Sequence, residues 1–187
     1  MLQLIYPLEK FIPHDCFKDV FSIDYNKLYE NGKRIILMDI DNTLIPYDIA
    51  LPTPEIRALL ENIQKIGFRI ILISNNCLAR VRAFTEPLGL EFVEKALKPF
   101  GRGYRRALKM ASPHGTGEIV AVGDQLMTDV LGGNRFGIDV ILVKPLKKRS
   151  EKWYTKFNRL NENHVLKRLK KKYPEVHEKI ARVNDGT

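Results

Sequence analysis

RIILMDIDNTLI, residues 34–45, starts on a basic residue, runs through four apolar side chains and ends among Asp39, Asp41, Asn42 and Thr43. An apolar run without polar alternation is the pattern of a strand covered on both faces, as in a parallel sheet. In open α/β sheets ligands bind beyond the carboxyl ends of the strands. The polar residues crowding the end of this run therefore stand where such a fold does its chemistry.

Residues 34–40 form the first of four such segments; the others are 68–74, 118–123 and 140–143, each rich in Ile, Val or Leu and bounded by turn or helix signals. A helix is predicted between the first two. Thr53 is its N-cap candidate, Pro54 fits the first turn, Ile56, Leu59, Leu60, Ile63 and Ile66 share a face, and Gly67 ends it. Further helices are expected over 78–84, stopped by Pro87, over 104–110 and over 129–134, with a short strand at 90–93. Strands alternating with helices at this spacing require right-handed crossovers. The expected fold is a doubly wound α/β domain, a mostly parallel sheet with helices on both faces. Residues 1–29 carry Phe11, Phe17, Phe21 and Tyr25 without sustained periodicity and are expected to pack on that sheet.

Composition narrows the class. With 187 residues, 44% of them hydrophobic and 28% charged, the chain can bury one sizeable core. Its apolar runs fall far short of the roughly 18 residues a spanning helix needs, and Pro7, Glu9 and Lys10 do not resemble a signal peptide. Cys16 and Cys77 are too few for a disulfide framework, so a reducing, cytoplasmic setting is expected. The net charge of +9 is unevenly spread: residues 1–143 hold 17 basic against 17 acidic side chains, whereas 144–187 hold 14 against 5. The expected organisation is a catalytic domain over 1–143 and a basic, helical tail over 144–187. Helices are expected there at 152–160 and 165–173. Trp153, Tyr154 and Phe157 among the tail lysines suit peripheral contact with an anionic membrane surface, while a solvated helix face is the alternative.

The residues following the other strands are as polar as those following the first. Ser74, Asn75 and Asn76 end the second, Lys98 and Pro99 follow the short strand, and Gly123, Asp124 and then Asp129 follow the third strong one. Several carboxylates converging on one crevice repel one another, and a divalent cation resolves that repulsion. Oxygen donors without His or Cys company favour Mg²⁺. A calcium loop starting at Asp39 fails, because Thr43, Leu44 and Ala50 occupy its fifth, sixth and twelfth positions. No Gly-x-Gly-x-x-Gly opens a helix after a strand, which disfavours a dinucleotide fold.

In that order and context, DIDNT from Asp39, Ser74, Lys98 and GDQLMTD from Gly123 resemble the four motifs of the haloacid dehalogenase superfamily, over residues 34–143. The resemblance implies a hydrolase that forms an aspartyl-phosphate. Asp39 would be the nucleophile, Asp41 the acid and base, Ser74 a donor to the phosphoryl group, and Lys98 its neutralising cation. Asp39, Asp41 through its carbonyl, Asp124 and Asp129 would hold Mg²⁺. Thr43, Asn75 and Arg102 are the candidate substrate-binding residues, with Arg105 and Arg106 beside Arg102 as further cations. Asp41 favours phosphoryl over dehalogenase chemistry, because an alkoxide leaving group needs a proton.

Cap domains of this superfamily are inserted after the first motif or between the second and third, and neither interval is long enough here, so an open site is expected. At finer grain, DIDNTLIPYD, ISNN, KPFGRGYRRAL, GDQLMTDVLGGNRFG and VKPL resemble the bacterial YqeG group of capless phosphatases, itself similar to mitochondrial phosphatidylglycerophosphate phosphatases. The implied substrate is an anionic phospholipid. The alternatives are soluble nucleotide, sugar or phosphoprotein substrates, and a nucleic-acid or ribosome-associated module that keeps the fold; an intact motif set makes nucleic acid the least favoured partner.

Overall fold

The computed structural model describes residues 5–146 and 153–185, with side chains given for 5–146 and 161–183. Its centre is a six-stranded sheet of β1 (Asp15–Phe17), β2 (Ile35–Met38), β3 (Arg69–Ile73), β4 (Glu91–Val93), β5 (Ile119–Gly123) and β6 (Asp139–Val143). The spatial order is β1-β6-β5-β2-β3-β4 and every pairing is parallel. From β2 the chain builds outward through β3 and β4 on one side, then returns to add β5 and β6 on the other, where β6 pairs with the earlier β1. The order reverses at β2, where a doubly wound sheet opens its crevice.

Alternation along the strands divides the interior. Ile36, Met38, Ile70, Leu72, Val120 and Val122 face one layer, and Ile35, Leu37, Ile71, Ile73, Ile119 and Ala121 the other. The first layer is closed by helices α1 (Tyr25–Glu30), α2 (Pro54–Ile66) and α3 (Leu78–Thr85), whose Tyr25, Ile56, Leu60, Ile63, Val81 and Phe84 are buried there. The second is closed by α4 (Gly101–Ala111) and α5 (Leu131–Arg135), the latter entered through a π-helical turn at Leu126–Val130. Thr53 caps α2 by accepting from the Ile56 amide, and Gly67 ends it in the left-handed region at φ 116°.

Three segments differ from the sequence reading. Residues 15–17 do more than pack on the sheet, since they form its edge strand, with Asp15 opposite Ile141; three residues are too few to show a period. The expected break near 160–165 is absent, and one helix, α6 (Trp153–Lys172), spans it before α7 (Pro174–Asp185). Nor does the compact part end near Lys144: Val165, Leu169 and Ile180 are buried in the second layer with Phe11 and Leu131. Those apolar side chains are sparse among lysines, so composition hides them, although Val165 and Leu169 keep the four-residue spacing of a helix face. Lys172 bridges Glu9 at 2.7 Å and Lys179 bridges Asp15 at 2.6 Å, tying the last helices to the start of the chain. The side chains of Trp153, Tyr154 and Phe157 lie outside the described residues. No described helix is long and apolar enough to cross a membrane.

Candidate active site

Register decides which residues meet. Met38 pairs with Leu72 on one side and Val122 on the other, so β2, β3 and β5 end level. Asp39, Ser74 and Asp124 thus leave the sheet at one edge, and Asp39 is fixed there by its amide bond to the Val122 carbonyl at 2.9 Å.

Around Asp39 the structure gathers three buried carboxylates, those of Asp39, Asp124 and Asp129, with ligand oxygens within 4.8 Å of one another. Asp129 comes from the π-helical turn. It is steadied by the Gln125 amide at 3.2 Å, the Thr128 hydroxyl at 3.1 Å and, on its carbonyl, the Tyr104 hydroxyl at 3.1 Å. The approach needs Gly123: a Cβ there would stand 2.3 Å from the Asp129 carboxyl carbon. Lys98 donates to Asp39 at 2.5 Å and to Asp129 at 2.6 Å from a buried ammonium. Thr43 donates to the other Asp39 oxygen at 3.4 Å.

Burial and neighbouring like charges act on ionisation in this cluster. Burial pushes the Asp39 carboxyl up to about 7, Lys98 opposes the shift, and Asp129 and Asp41 add to it. Burial also works against the Lys98 charge, but Asp129 and Asp39 outweigh it and raise its pKa above the ordinary lysine value. Three buried carboxylates with oxygens this close to one another, and one ammonium among them, make a site that a divalent cation would suit. The donor set suits a hard ion, being all oxygen. Two ligands about 2.1 Å from one Mg²⁺ lie at most about 4.2 Å apart, so little closing is required.

Asp41 is treated differently although it stands only two residues away. Its carboxylate is outside the three-carboxylate cluster and is held by the Arg80 guanidinium at 3.0 and 3.2 Å, with Ser74 and Asn76 donating at 3.4 and 3.3 Å. As a metal ligand Asp41 therefore has only its carbonyl to offer. Asn76 also meets the Tyr47 hydroxyl at 3.0 Å. Arg80 and Tyr47 were not among the sequence candidates, and Asn76 was placed at the strand end without a role. Arg80 was within reach, because the first turn of a helix that starts after a strand end faces the crevice.

Two candidate substrate residues are placed otherwise than expected. The Asn75 amide is committed at both ends to the Lys98 backbone, accepting from its N–H at 2.6 Å and donating to its carbonyl at 3.1 Å. It orients the lysine. Arg102 is exposed on the first turn of α4 and joins no contact of the cluster, while Arg106 is taken up by Glu94 at 3.2 Å.

Comparison with known proteins gives the family. The family model described as haloacid dehalogenase-like hydrolase matches residues 14–137. The probable phosphatase YqeG of Bacillus subtilis is 40% identical over 162 residues, covering 87% of this chain and 93% of that protein. The chain belongs to the haloacid dehalogenase-like hydrolases. A phosphatidylglycerophosphate phosphatase 1 of Arabidopsis thaliana is 29% identical across 86% of this chain, which spans 49% of that longer protein. Among solved structures, a cobalt-bound deoxy-D-mannose-octulosonate 8-phosphate phosphatase from Haemophilus influenzae shares the fold, with a TM-score of 0.51 at 14% identity over 83% of this chain and 94% of its own.

Proposed function

We propose that the protein is a magnesium-dependent phosphomonoester hydrolase in which Asp39 is the nucleophile. The observation that carries this is the asymmetry of the two carboxylates: Asp39 sits among Lys98, Asp124 and Asp129, while Asp41 stands apart on Arg80, Ser74 and Asn76. One oxygen of Asp39 attacks phosphorus and the bond to the ester oxygen breaks, leaving an aspartyl-phosphate. Asp41 gives a proton to the departing alkoxide and takes one from the water that then attacks phosphorus, so Asp39 is restored and inorganic phosphate leaves. Lys98 neutralises charge on the transferring group, and Thr43 and Ser74 donate to its oxygens. Mg²⁺ held by Asp39, Asp124 and Asp129 would supply Lewis-acid screening of the phosphoryl oxygens.

The intervals between β2 and α2 and between β3 and β4 contain no inserted domain. An uncovered crevice excludes water poorly and suits a phosphate presented on a large or interfacial substrate. Together with relatives named phosphatidylglycerophosphate phosphatases, this supports a phospholipid monoester as the substrate.

The test is phosphate release from p-nitrophenyl phosphate and from phosphatidylglycerophosphate in mixed vesicles, with Mg²⁺ and with chelator. Turnover is expected with the metal alone, and Asp39→Asn is expected to lose at least about a thousandfold in kcat. An active Asp39→Asn protein would end the nucleophile assignment. Hydrolysis of soluble esters without the lipid would end the lipid reading only.

A further inference from the structure

Eight large hydrophobic side chains are strongly exposed among the described residues. Single exposed apolar residues are ordinary on any protein surface. Their distribution here is not. Phe21 follows β1, Ile49 and Leu51 lie on the loop between β2 and α2, and Leu78 opens α3 after β3. Leu97 and Phe100 flank Lys98 after β4, and Leu146 follows β6. Because all six strands are parallel, every one of these segments emerges at the carboxyl edge of the sheet, the edge that holds Asp39. Only Ile5 lies elsewhere, ahead of β1, and the turns at the opposite edge carry none of the eight.

Cations alternate with these side chains. Lys18, Lys95 and Arg102 are exposed and Lys144 is half-buried on the same edge, which also carries Asp24, Asp48, Asp19 at 4.0 Å from Lys18, and Glu94 paired with Arg106. Lys18 and Lys144 line a depression of about 370 Å³ together with Asp19, Pro145, Leu146 and Val183, next to the exposed Leu146. The rim is joined to the catalytic loop, since the Leu146 amide donates to the Asn42 carbonyl at 3.1 Å.

We infer that this edge is a membrane-docking face that seats the crevice against an anionic lipid bilayer. Apolar side chains standing singly among cations match the boundary between headgroups and acyl chains, where each enters a few ångströms while the lysines and Arg102 meet lipid phosphates. A second copy of the chain fits less well, because a partner seated on this rim would seal Asp39 from any substrate. The inference builds on the phosphatase reading only for its purpose, which is to bring a lipid-borne phosphate to Asp39; docking itself is measured without turnover.

Sedimentation with phosphatidylcholine vesicles, with and without phosphatidylglycerol, tests it on the full chain. The wild type is expected to bind only the anionic vesicles. Leu51→Ser with Phe100→Ser is expected to bind them at least about tenfold more weakly, and Ile49→Ser with Leu146→Ser to do the same. Ile5→Ser, off the rim, is expected to bind as wild type. The rim variants should keep their unfolding midpoint and their rate on p-nitrophenyl phosphate. Wild-type protein that ignores anionic vesicles, rim variants that bind undiminished, or an Ile5→Ser loss of equal size would overturn the inference. So would sedimentation equilibrium showing self-association that the rim variants abolish. Vesicle binding without any ester hydrolysis would keep the docking face and remove the phosphatase; hydrolysis of the soluble ester without vesicle binding would do the reverse.

Discussion

Two buried lysines, at opposite edges of the same sheet, contrast a structural ion pair with one in the proposed active site. Lys33 enters β2 from the amino edge, and its ammonium meets the Gly117 carbonyl at 2.8 Å, the Ile119 carbonyl at 3.1 Å and the Asp139 carboxylate at 2.6 Å. Three protons find three acceptors, and one charge finds one counter-charge. Lys98, at the carboxyl edge, joins two carboxylates, Asp39 and Asp129, with that of Asp124 close by, so like charges crowd one place. Buried charges are tolerated when paired and bonded. Carboxylates crowded together in this way suit the addition of a cation.

The contrast is sharpest in Asp124→Asn. Activity is expected to fall by at least about a hundredfold as a metal ligand is lost. Without metal, the same variant is expected to unfold at a higher temperature, because one of the mutually repelling carboxylates is gone. Phosphate release and a melting curve in chelator check both signs; a lower melting point would break the comparison. At the other edge, Lys33→Met is expected to cost about 1–3 kcal/mol in a denaturant titration by stranding two backbone carbonyls, with kcat unchanged. A changed kcat would mean that the two edges are not independent.

A smaller effect is expected for Arg80→Ala. The guanidinium holds Asp41 in place, and its removal is expected to lower kcat about tenfold with little change in KM or stability. Arg80→Lys, lacking the two-pronged grip, is expected to restore only part of the loss. A last effect is in the pH dependence. Asp39 titrates near 7 in the fold against 3.8 when unperturbed, so protons bind the folded state more tightly. This contribution to stability is complete below the unperturbed value and disappears as pH rises through 7. It changes by at most about 1.4 kcal/mol per pH unit. In chelator, the melting point of wild type relative to Asp39→Asn is expected to drift down from pH 4 to 7, and apparent Mg²⁺ affinity to weaken below 7 as protons compete. A flat difference would remove the buried-charge account of Asp39.

The sheet was legible because its inner strands advertise themselves: Ile35 to Met38 and Ile119 to Gly123 are apolar without interruption and end in acids. That Asp39, Asp124 and Lys98 come together followed from their place after those strands. Less of the supporting shell was visible. The Asn75 clamp on the Lys98 backbone joins positions 23 residues apart through side-chain geometry that no local pattern encodes. Arg80 is an ordinary surface residue in sequence and acquires a role only when α3 points its first turn at Asp41. The edge strand and α7 were missed for a different reason: both depend on contacts between chain ends. Three residues of β1 and a few apolar positions among lysines have no period or composition of their own.

That meeting of the ends sets an order of assembly. The strand made first, Asp15–Phe17, has no partner until Asp139–Val143 exists, and Asp15 has no counter-ion until Lys179 arrives. While synthesis proceeds, the leading segment is an unpaired edge that must be kept from foreign strands. The last helices act as a latch on that segment, so a truncation that stops before Lys179 strips β1 of its ion pair and weakens the outermost seam of the sheet, far in sequence from the cut.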